Sequence, residues 1–264
     1  MGHFIDRRTL IFQLVKRDFQ QRYVGSAAGW LWSLIHPLVL LASYTFIFAV
    51  CLGIGPKAGA LTDNYTLWLF TGMLPWLLFS ETVHRSTGCI VEQANLVTKT
   101  LFPSEIVPVS IFLSSLISHT LTAVFVVGIV AVMLGHISPM LVLLPVFALL
   151  LGLFAVGIGW IASSLQVYLR DTSQVVAVVL TFWLWLTPIF IEAEKFPVWV
   201  HFVLTINPLV YIVHAYREML LGTKMLPLRE IAAILLPTAA FSVGTFVVGG
   251  LFFRHLKRGF ADVL

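Results

Sequence analysis

Residues 106–169 read IVPVSIFLSSLISHTLTAVFVVGIVAVMLGHISPMLVLLPVFALLLGLFAVGIGWIASSLQVYL, without a single Asp, Glu, Lys or Arg. A helix crosses the hydrocarbon core of a bilayer with about 20 apolar residues, so this stretch is long enough for two crossings. Gly135-His136-Ile137-Ser138-Pro139 interrupts it with turn-forming residues. The stretch therefore predicts a transmembrane helix pair, Ile106 to Leu134 and Met140 to Leu169, and makes the chain an all-α membrane protein.

The rest of the sequence agrees with that class. Of 264 residues, 59% are hydrophobic and 11% charged, whereas a soluble domain needs about 25% charged residues to cover its surface. Four more apolar runs predict crossings at Trp30 to Ile54, Tyr65 to Val83, Thr172 to Ile191 and Ile231 to Phe253, six in total within one domain spanning 1–264. The net charge of +4 is no nucleic-acid signal, because the bases sit at the ends of apolar runs as the positive-inside rule requires. No cleavable signal peptide is expected: the first apolar run begins near Ala27, behind a charged segment, and is too long for one.

One apolar run resists a simple reading. Phe196 to Tyr216 is long enough to span but carries Pro197 and the breaker pair Asn207-Pro208. Irregular backbone survives at membrane depth only where protein or water surrounds it, so this run predicts a re-entrant hairpin within an outer region, residues 192–230. Charge counting does not separate six crossings from seven. With six, Arg7, Arg8, Lys16, Arg17, Arg22, Arg85, Lys99, Arg170, Arg254, Lys257 and Arg258 lie inside. Lys57, Lys195, Arg217, Lys224 and Arg229 lie outside. With seven, the last two groups of three exchange sides and the ratio is unchanged. The N-terminus is inside either way.

Ahead of the first span, residues 9–24 form an amphipathic pattern. Gln13, Lys16, Arg17 and Gln20 make a polar strip, while Leu10, Ile11, Leu14, Val15 and Phe19 occupy the broader apolar side. Asp18 and Arg22 stand at i,i+4. Such a helix lies in the membrane interface, as an anchor or as a gate between cytosol and membrane. Residues 84–105 form a polar cytoplasmic loop with room for a short helix. Cys51 and Cys89 fall on opposite sides and are expected to be free thiols. Gly25-Ser26-Ala27-Ala28-Gly29 fits the small-residue pattern for close helix approach.

Catalytic signatures are absent. No Gly-Lys dipeptide exists, so no phosphate-binding loop of the Walker type is available. There is no metalloprotease pattern, no nucleophile elbow and no carboxylate cluster, and Glu192 and Glu194 read as solvated charges of an outer loop. Ion-coupled transport needs ionisable groups deep in the membrane, and His119 is the only one in mid-span, a packing residue by default. Aromatic residues are the positive signal, 13% of the chain, as belts, packing or the lining of a path.

Several segments together resemble one family. They are Lys16-Arg17-Asp18, Arg22-Tyr23, Ser26, Gly29, Trp32 and Pro37-Leu38; Gly72-Met73-Leu74-Pro75-Trp76; and Leu96-Val97-Thr98-Lys99-Thr100-Leu101-Phe102-Pro103. Arg170-Asp171, Thr187-Pro188-Ile189 and Asn207-Pro208-Leu209 complete the set. Their order is similar to that in ABC-2-type exporter permeases, in particular the transmembrane subunits of O-antigen and teichoic-acid exporters. The resemblance implies a homodimer in the bacterial inner membrane with both termini cytoplasmic. It implies two copies of a cytosolic ATPase, which alone uses ATP and Mg, and a lipid-linked polysaccharide as cargo. It implies a coupling helix around Glu92, Asn95, Lys99 and Phe102, and headgroup entry at Lys16, Arg17, Arg22 and Tyr23. An outer gate at Asn207 and Pro208 and an inner boundary pair, Arg170 and Asp171, follow from it too. So does a channel along spans one and five, whose aromatic lining is expected from Trp32, Tyr44, Phe48, Trp183, Trp185 and Phe190. Capsular polysaccharide, teichoic acid or another lipid or drug are the alternative cargoes, and a membrane-embedded glycan-processing enzyme is the alternative class.

Overall fold

The computed structural model describes residues 8–22, 24–55, 60–95 and 103–264, and among them there is helix and no strand. Helix α1 (Arg8–Gln21) is followed by α2 (Trp32–Thr45), which is entered through a 3-10 turn at Gly29–Leu31 and left through a π-helical segment, Phe46–Cys51. Then come α3 (Tyr65–Glu92), α4 (Ile106–Leu134), α5 (Leu144–Tyr168) and α6 (Thr172–Trp185). The chain finishes with α7 (Val198–Ile206), α8 (Pro208–Leu221), α9 (Leu228–Leu256) and a short α10 (Phe260–Val263). Four helical stretches are long and apolar enough to cross a membrane: Gly29–Cys51, Ile106–Leu134, Pro139–Tyr168 and Leu228–Gly259. The pair α7 and α8, bent by 82°, makes a fifth if it is counted as one broken span. The chain is thus a multi-pass helical membrane protein.

Two expected spans differ in form. At 28 residues, α3 is about 42 Å long at 1.5 Å per residue. It runs on past Val83 into the expected cytoplasmic loop because nothing before Gln93 breaks it. It is less apolar than the others, carrying Glu81, His84 and Arg85, and most of its surface is buried by neighbours rather than turned to lipid. Helix α6 stops after 14 residues, about 21 Å, short of the Ile191 expected. Pro188 disfavours helical backbone at Thr187, and residues 186–191 turn instead.

Helices α3, α4, α5, α8 and α9 form the core. Packing is closest where side chains are missing. A Cβ on Gly157 would lie 2.6 Å from the Thr245 carbonyl, and one on Gly249 would run into the backbone of Gly157. Gly152 lies under the Phe112 ring and Gly159 against Ser86, so α5 meets α4, α9 and α3 through one glycine each. Without water to drive association, close van der Waals contact is what holds membrane helices together. The Gly25 and Gly29 pair does not work this way. Both adopt positive φ, of 80° and 53°, and a Cβ on either would meet nothing within 4 Å. They shape the turn from α1 into α2.

Side-chain contacts define two ends. At the base, Trp160 Nε1 donates to the Glu105 carbonyl at 2.9 Å, Lys257 pairs with Glu105, and the Tyr168 hydroxyl donates to the Leu256 carbonyl at 2.8 Å. At the top, the Tyr65 hydroxyl donates to the Phe190 carbonyl, Ser138 to the Glu218 carbonyl, and the Leu226 amide meets Met140. Helices α3, α5 and α9 therefore run from top to base, and α2 and α4 from base to top. Both Phe190 and Leu226 lie at the top.

The glycine contacts make a direct prediction. Gly249→Val should lower thermal stability in detergent by about 1–3 kcal/mol, the usual cost of overpacking, while Gly244→Ala, with open space around it, should not. Equal effects from the two substitutions would remove close backbone approach as the basis of the α5–α9 contact.

Candidate functional site, a groove between two helices

A groove of about 820 Å³ runs between α2 and α6, floored by α3. Trp32 and His36 line its lower part, Trp76 its floor, and Tyr44 and Trp185 its upper part. The two flanking helices keep much of their apolar surface uncovered: Val39, Phe46 and Val50 on α2 and its π segment, and Val175, Val178 and Phe182 on α6, are all exposed. Pro37, inside α2, lines the groove. Proline in a helix frees the carbonyl four residues earlier, here that of Ser33; the Thr122 hydroxyl, 3.1 Å from Ser118 O in its own helix, also lies 3.4 Å from it.

The lower end is closed by charge. Arg22, just after α1, donates to Glu81 on α3 at 2.5 Å and to Ser115 on α4 at 3.0 Å. Asp18 pairs with Arg85 at 2.5 Å and with Arg22 at 3.5 Å, and Ser115 donates to Glu81 at 3.1 Å. Two bases and two acids alternate around Ser115, so the cluster is neutral and ties α1 to α3 and α4. The Asp18–Arg22 pair read from the sequence is present, but it is the weaker half of Arg22's bonding. Lys16 and Arg17 are exposed, and Leu14 on the opposite side of α1 is buried. Below the cluster lies a second cavity, of about 640 Å³, where Arg17, Glu92 and Asn95 line one space. Tyr23, Lys99 and Phe102 lie outside the described residues.

The upper end is closed by aromatic rings. Phe190, 3% exposed, packs 4.8 Å from Tyr44, 5.1 Å from Phe48 and 4.9 Å from Trp185, centroid to centroid. Of the six aromatic residues expected to line a path, Trp32, Tyr44 and Trp185 face the groove, and Phe48 and Phe190 cap it. Trp183 lies outside it. Its ring packs on Phe79 and Phe154, and its Nε1 donates to Asn207 Oδ1 at 3.0 Å. Asn207 caps α8 by accepting from the Leu209 amide, and its Nδ2 donates to Thr187. The breaker pair thus starts a helix, with Pro208 in the first turn where its missing N–H costs nothing.

Other expected residues sit as follows. Arg170 and Asp171 are exposed at the turn into α6 and, among the described residues, form no ion pair with each other. His119 Nε2 meets the buried Tyr216 hydroxyl at 3.1 Å, a packing hydrogen bond as expected. Both cysteines are free thiols. Glu192 is drawn in rather than solvated: its side chain is 14% exposed and lines an upper cavity with Arg217. Arg217, counted on the outer side, sits at the top of the bundle in a buried seat that a charge count does not reveal. It is 4% exposed, because its guanidinium bonds to protein carbonyls instead of water. The available signal was a base within reach of an apolar run, which at membrane depth marks a functional site.

The fold and site define a multi-pass membrane protein with a groove sealed by charge below and by aromatic rings above. Comparison with known proteins gives the class a family: the model of the ABC-2 type transporter family matches residues 9–221, and the chain belongs to that family. It is 28% identical to a Klebsiella pneumoniae protein named O-antigen export system permease protein RfbA, over 100% of this chain and 97% of that one. It is 26% identical to a Myxococcus xanthus protein of the same name, over 97% and 95%.

If the lower cluster acts as a unit, Glu81→Gln and Arg22→Gln should be non-additive. A double-mutant cycle on thermal unfolding in nanodiscs should give a coupling of about 1–2 kcal/mol, between exposed and buried pairs. Additive effects would show that the two residues do not support each other.

Proposed function

We propose that this protein is the membrane-spanning subunit of an ATP-driven exporter of a lipid-linked, O-antigen-like polysaccharide. The observation that carries the reading is the groove between α2 and α6 joined to full-length similarity with O-antigen export permeases. Sugars present apolar C–H faces that stack on aromatic rings and hydroxyls that bond elsewhere. Trp32, Tyr44, Trp76 and Trp185 offer such faces along one groove. A groove open on one side is half of a channel, and the uncovered apolar surfaces of α2 and α6 suit pairing with a second copy. The working unit is then a homodimer whose path lies between the copies.

Six crossings follow on this reading: α2 through α6 and α9, with α3 shielded by its neighbours and α6 completed by the turn to Phe190. The shared direction of α3, α5 and α9 supports it, because a seventh crossing would send α9 the other way. Residues 192–226 then form the outer re-entrant region, α1 lies at the inner interface, and both termini face the cytoplasm of a bacterium. The chain has no ATPase motif, so ATP and Mg act in a partner, bound twice through the base of α3 and the segment after it. The cavity lined by Arg17, Glu92 and Asn95 supports a gate helix lying beside the coupling region. A diphosphate headgroup arriving at α1 meets Arg17 and Lys16 first. It gains Arg22 only by displacing Glu81.

Reconstitution with a partner ATPase of the same transporter class and a labelled lipid-linked glycan tests the function. Export should be ATP-dependent, and Tyr44→Ala and Trp185→Ala should each reduce it about 10-fold or more, at roughly 1–3 kcal/mol per lost stacking contact, while leaving ATPase binding intact. Normal export in both variants would exclude the groove as the path. Transport of another lipid in place of the glycan would reassign the cargo.

A further inference from the structure

Three consecutive carbonyls hold the turn that carries Phe190. Arg217 Nη1 donates to Pro188 O and Nη2 to Ile189 O, both at 2.8 Å, and the Tyr65 hydroxyl donates to Phe190 O at 3.0 Å. The turn has no helical N–H partners for these oxygens, so the scaffold supplies them through one arginine on α8 and one tyrosine on α3. The arginine's seat is built for it. Its guanidinium carbon lies 3.5 Å from the Trp68 ring centroid, and a Cβ on Gly72 would come within 2.8 Å of Nη2. Planar, forked donors suit two adjacent carbonyls, and the flat cation stacks on an aromatic face. A cavity of about 660 Å³, bordered by Pro188, Glu192, Tyr211 and Arg217, adjoins the turn and gives it room to move.

We infer that Arg217 and Tyr65 are positioning residues of an outer latch: by holding the carbonyls of residues 188–190 they keep Phe190 wedged against Tyr44, Phe48 and Trp185. The groove opens at the top only when this turn leaves its seat. The inference rests on reading the groove as the transport path. It gives Gly72 its reason, since no larger residue leaves space for the guanidinium. It also explains why a base sits in an apolar helix at all: a lysine would reach one carbonyl, and a neutral residue would leave two unsatisfied.

Access from outside tests the latch without requiring transport. In the full chain with Cys51→Ser and Cys89→Ser, a single cysteine at Thr181 reports on the groove and one at Ala155, in the core, reports on the fold. Both are probed in spheroplasts with a membrane-impermeant maleimide. Labelling at Thr181→Cys should be slow with the latch intact and rise roughly tenfold for each hydrogen bond removed. The rise should appear in Tyr65→Phe, be larger in Arg217→Gln, and also follow Gly72→Ala. Ala155→Cys should stay protected throughout. Unchanged labelling at Thr181→Cys in Tyr65→Phe and Gly72→Ala overturns the latch. So does a parallel rise at Ala155→Cys, which marks general loosening. If Arg217→Gln does not accumulate in the membrane, the two milder variants decide. Wild-type glycan export with unchanged labelling sinks the latch alone. Raised labelling in a complex that exports no glycan sinks the transport reading and leaves the latch standing.

Discussion

Backbone polar groups at membrane depth must be satisfied by the protein itself, because lipid offers no hydrogen bonds, and a buried charge must find partners there too. Two arginines impose that constraint at the two ends of this bundle. Arg22 draws Glu81, Ser115 and, through Asp18, Arg85 into one neutral cluster, and so docks α1 on α3 and α4. Arg217 draws in the carbonyls of Pro188 and Ile189, and so fixes the turn after α6. The same rule acts on the backbone. The carbonyl freed by Pro37 has the Thr122 hydroxyl beside it, and Asn207 satisfies the start of α8 while binding Trp183 and Thr187. Remove these partners and the irregular segments lose their place in the bundle, since the apolar contacts around them have no directional preference.

Much of this was legible in the sequence because lipid writes a strong signal. The charge-free run from Ile106 to Leu169 yielded two helices within a residue or two of those observed, and Asn207-Pro208 marked the break. In α1, Leu14 is buried while Lys16 and Arg17 are exposed. What failed has a common cause. Hydropathy reads the average environment of a segment, whereas α3 is shielded by protein and α6 is ended by a single Pro188. Neither tertiary shielding nor a local turn enters a window average. The Gly25 and Gly29 pair misled for a related reason: spacing alone does not distinguish a close contact from a bend, and the true close contacts, Gly157 and Gly249, lie 92 positions apart.

The site was legible by type more than by role. Aromatic density pointed to spans one and five, and five of the six expected rings do gather at the groove or its cap. Trp183 belongs to the same helix as Trp185 but turns away, because two positions on a helix are about 200° apart. No single sequence tells which of the two faces the groove. Arg217 entered the sequence reading only as one of the bases counted on the outer side, which says nothing of its surroundings. Its environment depends on Trp68 and Gly72, about 145 residues earlier in the chain, a partnership that charge counting does not see.

The two ends of the groove are locked by different chemistry, and this bears on how each can open. Below, bases are held by carboxylates, which an arriving anion can replace one for one. An anion that took Arg22 from Glu81 would keep the base paired and leave Asp18–Arg85 as the remaining tie between α1 and α3. Above, Arg217 is held by carbonyl oxygens and a ring face in a site with little access to water. No soluble ion competes for a backbone carbonyl there, and breaking the contact leaves two acceptors without donors. An anion can therefore loosen the lower end by binding to it, whereas the upper end yields only to movement of α6 or α8 within the bundle. One end is open to ion exchange and the other to motion alone, and that difference follows from which partners the two arginines have.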